Sequence, residues 1–155
     1  MRITARALLY GMAIAGALGV ATAVHAQIGV GTWVQQKTPD GKIGLEMTAE
    51  PCCSGGLKLT YRIAGRSDVL LSVESTMDGK DAPVLMAGQP TGETMGIKRV
   101  DDHHAVTVLK MNGKQFGTST ATLSPDGKML TIENEITATA AGRSIGKNTE
   151  VWVKK

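Results

Sequence analysis

The sequence predicts an all-β fold, a single up-and-down antiparallel barrel of eight to nine strands. Three observations carry that expectation. Asx-Gly-Lys recurs at Asp40-Gly41-Lys42, Asp78-Gly79-Lys80, Asn112-Gly113-Lys114 and Asp126-Gly127-Lys128, and Asp-Gly and Asn-Gly favour the positive backbone angles of tight hairpin turns. Between these marks apolar residues alternate with polar ones. No segment after the first 26 residues carries a helical stripe of useful length.

The strands follow in order. Residues 28–37 open the series, and in 42–50 Ile43, Leu45, Met47 and Ala49 share one face while Gly44, Glu46, Thr48 and Glu50 share the other. Leu57, Leu59, Tyr61 and Ile63 form the dry side of 57–64, and Val69, Leu71 and Val73 that of 68–77. The same pattern marks 94–100, 104–111, 114–123, 128–138 and 147–154. Ser54-Gly55-Gly56, Asp101-Asp102 and Ala141-Gly142 are weaker turn signals, and Asp81 to Glu93, with Pro83, Pro90 and two glycines, reads as a loop lying across a barrel mouth. Sequential hairpins make neighbours in sequence neighbours in space, and a long meander hides its edges best by curling shut. A two-sheet sandwich is the rival, and it needs longer crossovers than this chain offers.

The chain divides into residues 1–26, read as a signal peptide, and 27–155, read as the barrel domain. Arg2 and Arg6 give a charged start, Ala7 to Val24 an apolar run, and Val24-His25-Ala26 small residues suited to cleavage before Gln27. Export to a periplasmic or secreted location is the expectation, with no membrane insertion after cleavage. Of the 155 residues 129 then remain, enough for one core and too few for two. Losing Arg2 and Arg6 reduces 17 basic residues to 15 against 14 acidic ones, so the formal charge falls from +3 to +1. That balance, with only Trp33, Tyr61, Phe116 and Trp152 as aromatics beyond residue 26, argues against nucleic acid as a partner.

Gly31-Thr32-Trp33 resembles the opening Gly-x-Trp of lipocalins. "MDGKDAPVLMAG" (77–88), "IKRVDD" (97–102) and "LSPDGKMLTI" (123–132), in that order, are similar to segments of small exported bacterial lipocalin-like proteins, mostly uncharacterised. The resemblance spans roughly residues 29 to 153 and implies a lipocalin-like, calycin-type barrel with Trp33 as the structural plug of its closed end. It carries no agreed activity or ligand residue. Lipocalins proper usually set an arginine from the end of the last strand against that tryptophan; this chain ends Trp152-Val153-Lys154-Lys155, which leaves Lys154 for the place.

Cys52 and Cys53 are adjacent, and in an oxidising compartment thiols that can pair do so. A solvent-side turn holding a vicinal disulfide or idle thiols leads, ahead of redox sensitivity, a bond to another chain, and soft-metal binding with His103 and His104. Asp101-Asp102-His103-His104 reads more simply as a polar hairpin turn, and no metal site or cofactor is assigned. Two histidines in one turn and no Gly-x-Ser-x-Gly elbow leave no triad to assemble, so no catalytic residue is named and no enzyme is expected. Glu133 and Glu135 share one strand face and read as its wet side.

On strand 114–123, Thr118, Thr120 and Thr122 share the parity of Phe116, while Gly117, Ser119, Ala121 and Leu123 take the other side; either lining is small. Met47, Met86, Met95 and Met129 are flexible side chains available near such a space. Eight strands nevertheless close to a width that side chains fill, which favours a filled or nearly filled core. Two functions stay open. One is a binding protein holding a small apolar ligand, with Met47, Tyr61, Met86, Met95 and Phe116 as the candidate contacts. The other is a ligand-free protein acting on an unknown protein partner through its loops or an edge strand.

Overall fold

The structure, a computed structural model, describes residues 28–36, 44–140, 143 and 145–155. Residues 1–26, read above as a signal peptide, lie outside them, as do the turn marks Asp40-Gly41-Lys42 and Ala141-Gly142. Among the described residues ten strands form one closed antiparallel barrel: β1 (Gly31–Gln36), β2 (Leu45–Cys52), β3 (Gly56–Ile63), β4 (Val69–Ser75), β5 (Asp78–Met86), β6 (Gln89–Arg99), β7 (His104–Met111), β8 (Lys114–Leu123), β9 (Met129–Ile136) and β10 (Gly146–Lys154). Each strand pairs with its sequence neighbours, and β1 closes the ring against β10, with Trp33 opposite Lys154 and Gln36 opposite Val151. The described residues contain no α-helix.

Ten strands replace the expected eight to nine because the segment 81–93 is not a loop. It is most of a hairpin, β5 to β6, turning at Ala87 and Gly88, whose φ angles of 47° and 79° suit a tight two-residue reversal. Pro83 sits opposite Thr94 and Pro90 opposite Leu85, with a register shift between Pro83 and Leu85. A proline has no N–H to give the ladder, and a local irregularity absorbs the missing bond. Asp78-Gly79-Lys80 is likewise no reversal. It opens β5, where a second shift between Asp78 and Asp81 lets Gly79, at φ 89°, bulge. Asn112-Gly113 and Asp126-Gly127 do serve as turns.

The barrel has two ends. At the base lie the β2–β3, β4–β5, β6–β7 and β8–β9 turns and the described residues leading into β1; at the mouth lie the β3–β4, β5–β6 and β7–β8 turns and the described residues between β9 and β10. Trp33, wholly buried, packs on Met47, Leu130 and Trp152 toward the base. Its indole Nε1 donates to the Gly29 carbonyl at 2.5 Å, which draws buried Ile28 beside Ile97 and Ala105. Lys154 Nζ lies 5.6 Å from the Trp33 ring centroid, a cation over an aromatic face. Gly31 makes the approach feasible, since a Cβ there would stand 2.7 Å from Lys154 Cε. The Gly-x-Trp spacing thus has a local cause: the glycine clears the path along which the lysine stem reaches the tryptophan.

Candidate binding cavity

Alternation along the strands decides what faces inward. Leu45, Met47 and Ala49 on β2, Leu57, Leu59 and Tyr61 on β3, and Ala105, Thr107 and Leu109 on β7 all line one internal space. Its volume is about 570 Å³. The filled or nearly filled core expected from eight strands is therefore corrected, and the reason is geometric. Barrel diameter grows with strand number, and two added strands widen the lumen past what these side chains occupy. Small residues contribute as well: Gly29, Ala49, Ala105, Ser119 and Ala121 all face it.

On β8 the threonine row points outward, and Thr118, Thr120 and Thr122 are exposed. Phe116 shares their parity yet is buried, because a register shift between Leu109 and Lys110 sets Gln115 opposite Lys110 and Gly117 opposite Leu109. Phe116 is the extra residue of that bulge and turns inward. Gly117 beside it has no room for a side chain: a Cβ would stand 2.8 Å from Ile136 Cδ1 and 3.0 Å from the Glu135 carbonyl oxygen.

Three of the five candidate contacts, Met47, Tyr61 and Met95, line the cavity. Phe116 instead packs with Leu109 and Ile136 toward the mouth, its ring 5.4 Å from the Arg143 guanidinium. Met86 lies at the rim beside the β5–β6 turn, 52% exposed, and Met129 is on the outside near the base, 46% exposed; neither is part of the lining.

The sequence reading missed a polar wall. Ser119, Asn134 and Asn148 stand side by side on β8, β9 and β10, with Glu150 one inward position further along β10. Ser119 Oγ donates to Asn134 Oδ1 at 2.6 Å, and Asn134 Nδ2 donates to Asn148 Oδ1 at 2.9 Å and Glu150 Oε1 at 3.0 Å. Trp152 Nε1 donates to Glu150 Oε2 at 3.1 Å. Nearer the mouth, Arg143 Nη1 donates to Glu93 Oε1 at 2.6 Å, and the Glu93 side chain is only 7% exposed. Tyr61 meets Trp152 edge to face, centroids 6.1 Å apart. Burial, reinforced by the Glu150 charge and partly offset by Arg143, pushes the Tyr61 hydroxyl well above its ordinary pKa, so it stays a neutral donor.

One signal for this wall was available. Alternation in "LTIENEI" (130–136) puts Asn134 on the same side as Leu130, Ile132 and Ile136, a polar residue in the middle of a dry row. Its neighbours Glu133 and Glu135 face solvent and are exposed, as read from the sequence.

The other singled-out residues sit at the base. Cys52 ends β2 and is joined to Cys53 by a disulfide, within a turn where Cys53, Ser54 and Gly55 all take positive φ. Cys53 Sγ lies 3.6 Å from the Ser75 carbonyl oxygen. His104 Nδ1 stands 2.8 Å from both carboxylate oxygens of Asp101, and His103 Nδ1 is 3.1 Å from the Leu123 carbonyl oxygen, in the β6–β7 turn. Among the described residues no three His, Cys, Asp or Glu side chains gather as a metal centre.

No family model matches the chain, and no curated protein does. Among solved structures, the crystal structure of a point mutant of the fluorescent protein UnaG matches with a TM-score of 0.58 at 11% identity, covering 82% of this chain and 96% of that one. At that identity the likeness concerns the fold alone, a closed antiparallel β-barrel, which is the architecture expected from the sequence.

Proposed function

We propose that this protein is a non-enzymatic binding module that holds one small, largely apolar ligand inside its barrel, and that it works outside the cytoplasm after loss of residues 1–26. The observation that carries the reading is the cavity: about 570 Å³, walled mainly by aliphatic side chains, with a few polar groups gathered on one side. Ligand sites commonly combine these features at this size, and burial of the ligand's apolar surface at about 25 cal/mol per Å² supplies the affinity. Polar groups on one side then orient the guest. The likeness to UnaG supports a barrel and says nothing of what this one holds.

Native mass spectrometry of the protein purified from its own host, together with displacement of an environment-sensitive dye by a set of aliphatic compounds, tests the reading. A retained small molecule, or dye release at micromolar aliphatic ligand, is the expected result. Protein that carries no guest and neither takes up the dye nor binds any member of the set refutes it.

A further inference from the structure

We infer that the polar wall of the cavity recognises an ammonium group borne on an apolar chain or ring, so that the guest is an amphipathic amine. The inference rests on the reading of the cavity as a binding site and specifies what that site selects.

Glu150 supplies the one carboxylate of the wall. Glu150 presents a carboxylate whose two oxygens each accept one hydrogen bond, from Asn134 Nδ2 and from Trp152 Nε1. A carboxylate has about four lone-pair positions, so each oxygen keeps capacity for another donor. Both present donors are neutral. Among the described residues Glu150 takes part in no ion pair, although it lines the cavity beside the apolar Ile132 and Trp152. A partly buried carboxylate held only by neutral donors gains most from a cation that comes with its own hydrogen bonds. An ammonium group offers three N–H donors, and Asn148 Oδ1 and the Tyr61 hydroxyl oxygen are further acceptors on the same lining.

The charge balance points the same way. Arg143 is the one cation among the described lining residues, and its guanidinium is already engaged, bonded to Glu93 at 2.6 Å and placed over Phe116 at 5.4 Å. A carboxylate guest that drew Arg143 away would strand Glu93, a carboxylate 7% exposed, without its partner, and an unpaired buried charge is strongly unfavourable. With Glu93 and Arg143 neutralising each other, Glu150 leaves these three groups one negative charge in excess. An amine restores neutrality and an acid worsens it.

Isothermal titration with dodecylamine, dodecanol and dodecanoate at neutral pH, the two ions below their micelle concentrations and the alcohol below its solubility limit, separates the head group from the chain. The inference expects the amine to bind about tenfold or more tightly than the alcohol, with the acid weakest. Glu150→Gln, which keeps the side-chain shape, should erase the amine's advantage over dodecanol. The order among the three head groups needs no variant and stands even if Glu150→Gln fails to fold. Equal affinities, or dodecanoate binding tightest, overturn the ammonium assignment while leaving the cavity a binding site. Failure of all three to bind overturns the proposed function itself.

Discussion

Trp33→Phe isolates the bond that shuts the base of the barrel. Trp33 is wholly buried, its Nε1 donates to the Gly29 carbonyl at 2.5 Å, and Lys154 Nζ sits 5.6 Å from its ring centroid. Phenylalanine keeps an aromatic face and loses the donor. Removing the hydrogen bond and leaving a buried carbonyl unpaired costs about 1–2 kcal/mol. The smaller ring forfeits apolar burial worth about 1 kcal/mol, and a weaker cation contact adds about 0.5 kcal/mol. Together these come to about 3 kcal/mol. Urea unfolding followed by far-UV circular dichroism reads this directly, and at about 1.5 kcal/mol per molar urea the midpoint should fall by about 2 M. Lys154→Met, which spares the indole bond, should cost only about 0.5–1 kcal/mol. A Trp33→Phe loss below about 0.5 kcal/mol would refute the reasoning, because no buried tryptophan with a satisfied N–H can be removed so cheaply.

Three other perturbations follow from the same geometry. Ala121→Phe sends a phenyl ring into empty space, so stability should change by less than about 1 kcal/mol while binding of dodecanol weakens at least about tenfold; calorimetry that finds binding intact argues against occupancy of this lumen. Gly56→Ala would set a Cβ 1.9 Å from the Ser75 carbonyl oxygen and should cost more than about 3 kcal/mol, whereas Gly113→Ala, at φ 79° with nothing within 4 Å, should cost about 1 kcal/mol; similar losses for the two would contradict the packing at the β2–β3 turn. Three exposed aspartates have pKa values held below the ordinary carboxylate range: Asp78 chiefly by the Lys80 side chain, Asp101 by the His103 N–H, and Asp126 by the Ser124 hydroxyl. A carboxyl whose pKa is depressed on folding contributes stability above its unfolded value, about 3.9, and loses it as pH falls toward the folded value. Acid titration of the melting temperature should therefore decline below about pH 4, and Asp→Asn at all three positions should flatten that decline.

Much of the barrel was legible because its determinants are local. Asn112-Gly113 and Asp126-Gly127 turn where their backbone preferences say, and the period-two rows of β2 and β3 put Met47 and Tyr61 on the inner face. The β5–β6 hairpin was not, since Pro83 and Pro90 read as strand breakers and only the register shift that accommodates them makes strands of their surroundings. Strand count then fed an error in the core, as the two strands beyond eight are what hollow it. The inward turn of Phe116 depends on a bulge defined by pairing with Lys110, a relation between strands that one strand's pattern does not contain. The polar wall failed to register for a related reason. Ser119, Asn134, Asn148 and Glu150 are spread over 32 positions of sequence and become neighbours only through the ladders of β8, β9 and β10.

The measurement closest to the central claim is a methyl NMR titration of methionine-labelled protein with dodecylamine. Met47, Met77 and Met95 line the cavity, while Met129 lies outside it near the base. Binding inside the barrel predicts that the resonances of the three lining methionines move together and saturate at one equivalent while Met129 stays still. Movement of Met129 with the other three fixed, or no movement at any of the four, would contradict it.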